Sequence, residues 1–496
     1  LCASEGLRPA GNCRACVVEI EGERVLAPSC CRAPTAGMVV RSDTPRAENA
    51  RRTVLELLQA DAPATTALKH DSELAHWARE TGARAGRFAP RGAIGEDLSH
   101  PAMAVNRDAC IQCTRCIRAC RETQGNDVLG LAFRGGHAQI VFDQNDPMGA
   151  STCVACGECV QACPTGAIAP ANGAFAKPSL QRVDSVCPFC GVGCQLRYHV
   201  DESGRIAHVE GIAGPANEGR LCVKGRFGFD YAHSPERLMR PLIRRADAPK
   251  DPTAIERRDW RELFREASWD EALDAAAAGF RAALGATAAR GRASPVAGFG
   301  SAKGTNEEAY LFQKLVRTAF GTHNVDHCTR LCHASSVAAL MEGLGSGVVS
   351  NPLRDVEHAE LVLLIGANPA QNHPVGATWI KNAIRRGTRL VLADPRRTEL
   401  ARHAWRYLGF SPGSDVALLN AMLHVIVAEG LTDPAYIAAH TRDFDAVQAH
   451  VAAFTPEAMA PVCGIEPEAI REVARAFATA KSAMILWGMG VSQHAH

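Results

Sequence analysis

Net charge is almost absent from this sequence: 54 basic and 53 acidic residues leave +1 over 496 residues. A balance of that kind carries no electrostatic footprint for nucleic acid or for an anionic membrane surface. Long apolar runs are missing too, and none approaches the roughly 18 residues of a membrane span. The nearest, Leu418 to Val427, is interrupted at helical spacing by Asn420 and His424 and predicts a buried helix. Methionine is missing from position 1. A chain that opens on Leu1 with Cys2 beside it reads as truncated there, so no targeting signal is read from that end. Cysteine is absent from the whole stretch between Cys31 and Cys110.

Elsewhere cysteine is abundant, with 20 in all, and 17 of them fall into patterns that hold iron-sulfur clusters. The clearest run is Cys110-x2-Cys113-x2-Cys116-x3-Cys120, repeated as Cys153-x2-Cys156-x2-Cys159-x3-Cys163-Pro164. This is the run of two-cluster ferredoxins, in which the fourth cysteine ligates the other cluster. It predicts one four-iron site from Cys110, Cys113, Cys116 and Cys163, and another from Cys153, Cys156, Cys159 and Cys120. Zinc needs only two close pairs and does not use a third thiolate at this spacing. Disulfide frameworks belong to short secreted chains without a core, whereas 496 residues bury several cores. The cysteines are therefore expected to be reduced, in a cytoplasmic compartment.

A separate set, Cys187-x2-Cys190-x3-Cys194-x27-Cys222, predicts a further four-iron cluster in its own small domain. Gly191 and Gly193 let that loop turn its amides toward the sulfurs, a lever on cluster potential. Lys224 stands two residues beyond Cys222; in isolation such a cation is usually a solvated charge. At the amino end, Cys2-x10-Cys13-x2-Cys16-x13-Cys30, with Cys31 as a stand-in for Cys30, resembles a plant-type two-iron arrangement. Val17 to Leu26 predicts a hairpin with a glycine-containing turn to carry it.

Composition marks the remaining segments. Residues 46–103 are rich in Ala and Arg and are expected to be a helical linker without a cluster, with a helix over Ala47 to Leu58. Arg244 to Pro252 reads as a connecting loop. Beyond it the pattern is α/β. Ser268-Trp269-Asp270-Glu271 forms a capping box before a helix with Leu273, Ala277, Phe280 and Leu284 on one face. Val296 to Phe299 predicts a buried strand, and Asn306 the cap of a helix ending at Gly321. Glu360 to Gly366 predicts a strand, Ala377 to Arg386 a helix closed by Gly387, and Arg389 to Asp394 a second strand, which together make a right-handed βαβ unit.

Ligands of such sheets bind beyond the carboxyl ends of the strands. Those ends carry Gly366-Ala367-Asn368-Pro369 and Asp394-Pro395-Arg396-Arg397-Thr398, which suit a nucleotide or are ordinary turn chemistry. Their spacing is not G-x-G-x-x-G, so they do not indicate nicotinamide. Cys332 precedes His333 and a helical stretch over Ala334 to Leu340, placing its sulfur near a helix N-terminus, where a thiolate is favoured as ligand or nucleophile. With three cluster sets in the same chain, a soft thiolate there suits a redox metal that feeds them.

Taken together, these motifs resemble the large subunit of molybdenum-containing, NAD-dependent formate dehydrogenases, within the wider molybdopterin oxidoreductase family. The residues that carry the resemblance are the amino-terminal two-iron pattern, the doubled ferredoxin run, Cys222-Val223-Lys224-Gly225 after the 187–194 set, and Leu331-Cys332-His333-Ala334-Ser335-Ser336-Val337.

The resemblance implies a multidomain α+β and α/β chain. It would hold a two-iron ferredoxin-like domain at 1–45, a double four-iron ferredoxin domain at 104–178, a four-iron domain at 179–235 and a partial molybdopterin-binding α/β domain at 236–496. It further implies that Cys332 ligates molybdenum or tungsten bound through two molybdopterin guanine dinucleotides, that His333 orients formate or handles a proton, and that Lys224 bridges cluster and pterin. Gly366, Asn368, Asp394, Arg396, Gly413, Ser414 and Asp415 match loops that hold the dinucleotides in this family. The implied reaction takes formate to carbon dioxide and sends electrons through one two-iron and three four-iron clusters to a separate flavoprotein subunit that reduces NAD, in a hetero-oligomer.

Two departures from the family are expected. Related chains carry another cluster, held by one histidine and three cysteines, between the two-iron domain and the ferredoxin run; His70 and His76 have no cysteines to build it with. The sequence also stops within an α/β domain, so the family's catalytic arginine is expected beyond residue 496. Among rivals, an electron-conducting subunit like that of NADH-quinone oxidoreductase would have no reason to keep Cys332, His333 and Lys224 together. A nitrate reductase of the same family would carry methionine after the metal cysteine, and an iron hydrogenase would need more cysteine motifs after residue 222.

Overall fold

A computed structural model of the protein describes residues 1–62, 69–251, 253, 259–288 and 293–494. They form two compact units, Leu1–Phe229 with Val349–His496, and Asp230–Val348.

The first unit opens on a small antiparallel sheet of β1 (Val17–Ile20), β2 (Ala27–Pro28) and β3 (Val40–Arg41), with β1 central. Val18, Ile20 and Ala27 are buried together against Met38. The hairpin expected over Val17 to Leu26 is therefore longer: its second arm is Ala27–Pro28, and Val25 is exposed in the turn. Helix α1 (Pro45–Asp61) extends the expected helix at both ends. Thr44 caps it, Pro45 fits its first position, and Leu55 is buried beside Cys2, Cys13 and Cys113. Arg244 to Asp251 run mainly outside strands as expected, although Arg244 itself ends a strand, and Pro252 lies outside the described residues.

In the ferredoxin segment, β4 (Met103–Asn106) pairs antiparallel with β5 (Ile168–Pro170), closing the repeat on itself. Each cysteine loop turns through left-handed residues at matching positions: Gln112 and Thr114 in the first run, Ala155 and Gly157 in the second. That repeated kink curls each loop around a common centre. Next comes an antiparallel sheet of β6 (Gln181–Val186), β7 (Gln195–Val200) and β8 (Ile206–Gly211), with β7 central.

Across β7 and β8, His199 Nε2 lies 2.9 Å from Glu210 Oε2, and the His199 and His208 rings stack with centroids 4.0 Å apart. Burial, aided by the charge of His199, lowers His208 from 6.5 to about 4, so between those values the unfolded chain takes up a proton that the folded chain refuses. Stability should fall as pH drops through that window. The hydrogen bond from His199 holds Glu210 down at about 2, which adds a second loss as pH falls below about 4.5. His208→Phe should flatten only the upper window, measured as the urea midpoint at pH 7 against pH 5; an unchanged pH slope would remove His208 from this role.

The second unit contains helices α2 (Trp269–Ala288) and α3 (Asn306–Lys314) and a parallel pair, β9 (Gly298–Gly300) with β10 (Val325–His327). Ser268 Oγ accepts from the Glu271 amide at the start of α2, as its sequence predicts. Leu273 and Phe280 on the expected apolar face are exposed. The strand expected over Val296 to Phe299 sits two residues later; Val296 is buried, but Phe299 is 82% exposed because Gly298 faces the packed side chains of Phe312 and Val316. Thr305, and not Asn306, caps α3: its hydroxyl accepts from Glu308 N–H while the Glu308 carboxylate takes the Thr305 amide, a complete capping box.

The carboxyl part of the first unit is a parallel sheet of β11 (Leu361–Ile365), β12 (Arg389–Ala393), β13 (Arg406–Leu408) and β14 (Ala483–Trp487), ordered β13-β12-β11-β14. Helix α4 (Pro374–Arg385) connects β11 to β12 and ends at Gly387, which takes a positive φ. Every residue of β11 is buried, and its side chains alternate between two cores. Val362 and Leu364 join Trp379, Ile380 and Ala383 of α4, whereas Leu361, Leu363 and Ile365 join α5 (Asp415–Ala428) and α6 (Pro467–Thr479). A strand covered on both faces reads as a continuous apolar run. Each buried Leu, Ile or Val contributes about 1.5–3 kcal/mol. The buried helix expected over Leu418 to Val427 is α5, in which His424 Nδ1 meets the Val451 carbonyl at 2.9 Å.

Candidate functional site

The sulfurs of Cys110, Cys113, Cys116 and Cys163 surround one cavity, and Cys120 lies with Cys153, Cys156 and Cys159. Burial, reinforced by neighbouring thiol groups, pushes Cys113 and Cys156 up to about 12. Thiols packed so closely become thiolates only around a cation, as iron would provide. A second cavity is bounded by Cys187, Cys190, Cys194 and Cys222; burial and the other three cysteines push Cys194 up to about 12. At the amino end the Cys2 amide donates to Cys13 Sγ at 3.3 Å. Cys30 contacts both Cys16 and Cys31, and burial together with these two pushes it up to about 12. Cys31 is exposed and rests over Gly11, where a Cβ would come within 2.9 Å of its sulfur.

Buried arginines fix the succession of these sets. Arg118 donates to the carbonyls of Cys2 (2.5 Å) and Cys113 (3.1 Å), joining the amino-terminal set to the first ferredoxin set. Arg226 donates through Nε to the Cys156 carbonyl at 3.0 Å and pairs with Glu158 at 3.2 Å, joining the second ferredoxin set to the segment after Cys222. Gln124 completes this joint, donating from Nε2 to Glu158 and to the Leu221 carbonyl and accepting from Thr378 of α4. The backbone approach is close: at Gly157, with φ +68°, a Cβ would meet Arg226 Cδ at 2.7 Å. Arg118, Gln124 and Arg226 were not singled out by sequence reasoning, because their partners lie up to 254 positions away.

Lys224 lines the same cavity as Cys187, Cys190, Cys194 and Cys222, across from Pro374 and Val375 at the start of α4. Burial, with the charge of Lys224 added, lowers His373 below its ordinary value. The loops expected to hold a dinucleotide gather at the carboxyl edge of the sheet, after β11, β12 and β13. Gly366 takes φ +57° with the Gly490 backbone so close that a Cβ would come within 2.9 Å. Asn368 is buried and donates to Glu399 at 2.9 Å; the Asp394 carboxylate accepts from the Arg396 amide at 2.8 Å, with the Arg396 side chain exposed. Gly413 is exposed and Ser414 buried before α5, whose first residue, Asp415, is buried 3.1 Å from His494. Asn368 Oδ1 and Thr398 Oγ1 are buried without a hydrogen-bond partner. Orphaned acceptors of this kind at strand ends fit a polar ligand such as a nucleotide. Thr398, already part of the strand-end loop that suits a nucleotide, and Glu399 join the assigned residues here; Glu399 is signalled in the sequence only by its closeness to that loop.

In the second unit, Cys332 closes a short helix, α7 (Thr329–Cys332), and its amide donates to the Cys328 carbonyl at 3.1 Å. His333, at φ −134°, stands between α7 and α8 (Ala334–Leu344) as the cap residue of α8. The helix expected over Ala334 to Leu340 begins at Ala334 and runs on to Leu344, so Cys332 lies near its N-terminus as expected; the short helix that Cys332 itself closes is an addition. Cys332 is half-buried.

Four family models match the chain. A 2Fe-2S iron-sulfur cluster binding domain matches residues 1–45, the ferredoxin-like domain of NADH-quinone oxidoreductase subunit 3 matches 100–169, the molybdopterin oxidoreductase Fe4S4 domain matches 180–234, and molybdopterin oxidoreductase matches 237–496. Formate dehydrogenase H of Escherichia coli (strain K12) is 39% identical over 63% of this chain and 42% of its own length. The alpha subunit of F420-dependent formate dehydrogenase from Methanocaldococcus jannaschii is 35% identical over 63% of this chain and 43% of its own. The chain thus spans less than half the length of these relatives. Acetylene hydratase from Pelobacter acetylenicus shares the fold, with a TM-score of 0.52 at 20% identity over 63% of this chain and 41% of that one. Among the described residues, no helix is long and apolar enough to cross a membrane.

Proposed function

Because the chain belongs to the molybdopterin oxidoreductase family, we propose that it is the catalytic part of a formate dehydrogenase that oxidises formate to carbon dioxide and passes the electrons along its own clusters. One observation carries the reading. The cavity of Cys187, Cys190, Cys194 and Cys222 opens onto Lys224 and onto the start of α4, the helix that follows the Gly366–Asn368 loop.

In this reading Cys332 ligates molybdenum or tungsten, held through two molybdopterin guanine dinucleotides by Gly366, Asn368, Asp394, Arg396, Gly413, Ser414 and Asp415. When bound, this group supplies the two-electron acceptor for formate. The His333 imidazole orients the formate carboxylate or takes up the released proton, both ordinary roles of an imidazole beside a reacting group. The Lys224 ammonium, which lines the cavity of Cys187, Cys190, Cys194 and Cys222, would bridge cluster and pterin and favour negative charge there. The cysteine sets that Arg226 and Arg118 join would hold three four-iron clusters, and Cys2, Cys13, Cys16 and Cys30 a two-iron cluster; bound there, these groups would supply the electron path. A flavin-bearing partner that reduces NAD would accept the electrons in a cytoplasmic hetero-oligomer; the resemblance carried by the amino-terminal two-iron pattern and the doubled ferredoxin run supports that partner.

Lys224→Met in the full-length enzyme should slow formate turnover about 10–100-fold, the range for groups just outside a metal's ligands. Iron content and the binding of formate should be retained. Stopped-flow absorbance would locate the delay in cluster reduction; unchanged turnover would return Lys224 to an ordinary surface charge.

A further inference from the structure

Lys381 lies on the buried side of α4, two turns from the residues that line the Lys224 cavity, and its ammonium donates to Asn126 Oδ1 at 2.6 Å. Asn126 is joined to both halves of the second ferredoxin set. Its backbone amide donates to the Cys120 carbonyl at 3.0 Å, and its side-chain nitrogen lies 4.0 Å from Cys156 Sγ. The lysine stem is seated as well. Gly125 takes φ +67°, and a Cβ there would come within 3.2 Å of Lys381 Cβ. Next along the helix, Asn382 donates to the Thr123 carbonyl at 3.1 Å and Arg385 pairs with Asp127 at 2.5 Å, so α4 is pinned along residues 123–127.

We propose that Lys381 is a positioning residue for the four-iron cluster on Cys120, Cys153, Cys156 and Cys159: acting through Asn126, it directs an amide dipole at Cys156 and places a cation nearby, raising that cluster's reduction potential. The inference rests on the cluster reading given above. Reduction adds one electron and therefore one negative charge to the cluster, with no bond made or broken. An N–H dipole and a partly desolvated cation both favour the more negative form, and hydrogen bonding and charge are the levers by which proteins set these potentials. With Lys381 bound to its oxygen, the Asn126 amide has one orientation, nitrogen toward the sulfur. The helix that follows the Gly366–Asn368 loop thereby also sets the second step of the electron path.

The test is a potentiometric titration of the full-length protein, followed by electron paramagnetic resonance. In Lys381→Met, one four-iron signal should become harder to reduce by at least a factor of ten in its one-electron equilibrium, about 59 mV. Lys381→Gln keeps a donor to Asn126 without the charge and should shift the same signal less; Lys381→Arg should restore most of it. Iron content should be the same in all three. If the unmodified protein shows no four-iron signals, the cluster reading falls and this inference with it. If the signals are present and all keep their potentials in both the Met and Gln variants, only the role of Lys381 is overturned.

Discussion

Cys332→Ala should abolish formate oxidation in the full-length enzyme, with a loss of at least roughly 10³-fold, the scale of removing a group that works directly on the reacting centre. Alanine removes the one soft ligand that the chain itself would offer the metal while leaving its helix intact. Cys332 closes α7 through its backbone amide, a bond that alanine also makes. None of the cluster cysteines is touched, so iron content and cluster spectra should match those of the unmodified protein. Cys328→Ala is the control: its sulfur accepts the Ala302 amide at 3.4 Å and meets His327 Nδ1 at 3.7 Å, and turnover should persist. Retained activity in Cys332→Ala would remove the assigned ligand and favour a chain that only conducts electrons.

Arg226→Met should be among the most damaging changes to stability. Arg226 and Glu158 are both buried, and methionine fills the arginine's space while leaving the carboxylate without its cation. Breaking one side of a buried pair costs about 3–5 kcal/mol, because an uncompensated charge remains. Gln124 still donates to Glu158 and recovers part of that cost. The reading is the urea concentration at which four-iron absorbance is lost, which should fall markedly. Adding Glu158→Gln should recover much of the loss, since a neutral amide no longer needs the guanidinium. An unchanged midpoint in the single variant would show that this joint does not hold the two cluster segments together.

How much could be seen in advance follows from the range of each interaction. The cysteine runs were readable because cluster ligation imposes spacing within a few residues, and the structure brings the eight ferredoxin sulfurs into the two crossed groups that this spacing predicts. The β11-α4-β12 unit was readable because burial on both faces writes an unbroken apolar run. Local details slipped by a residue or two where neighbours competed. Thr305 outranks Asn306 as a cap because Glu308 lies at the spacing that closes the box, and Phe299 turns outward because its neighbour Gly298 takes the packed side. The joints between cluster segments were not readable at all. Nothing near Arg226 in sequence reveals that it will meet Cys156, 70 positions away, and the Lys381 to Asn126 contact spans 255.

The most direct test is elemental analysis of the full-length protein, read against its own iron. The account predicts molybdenum or tungsten in stoichiometric amount with the chain, lost selectively in Cys332→Ala or left there without activity. Full iron with neither metal, in protein expressed with both supplied, would contradict it.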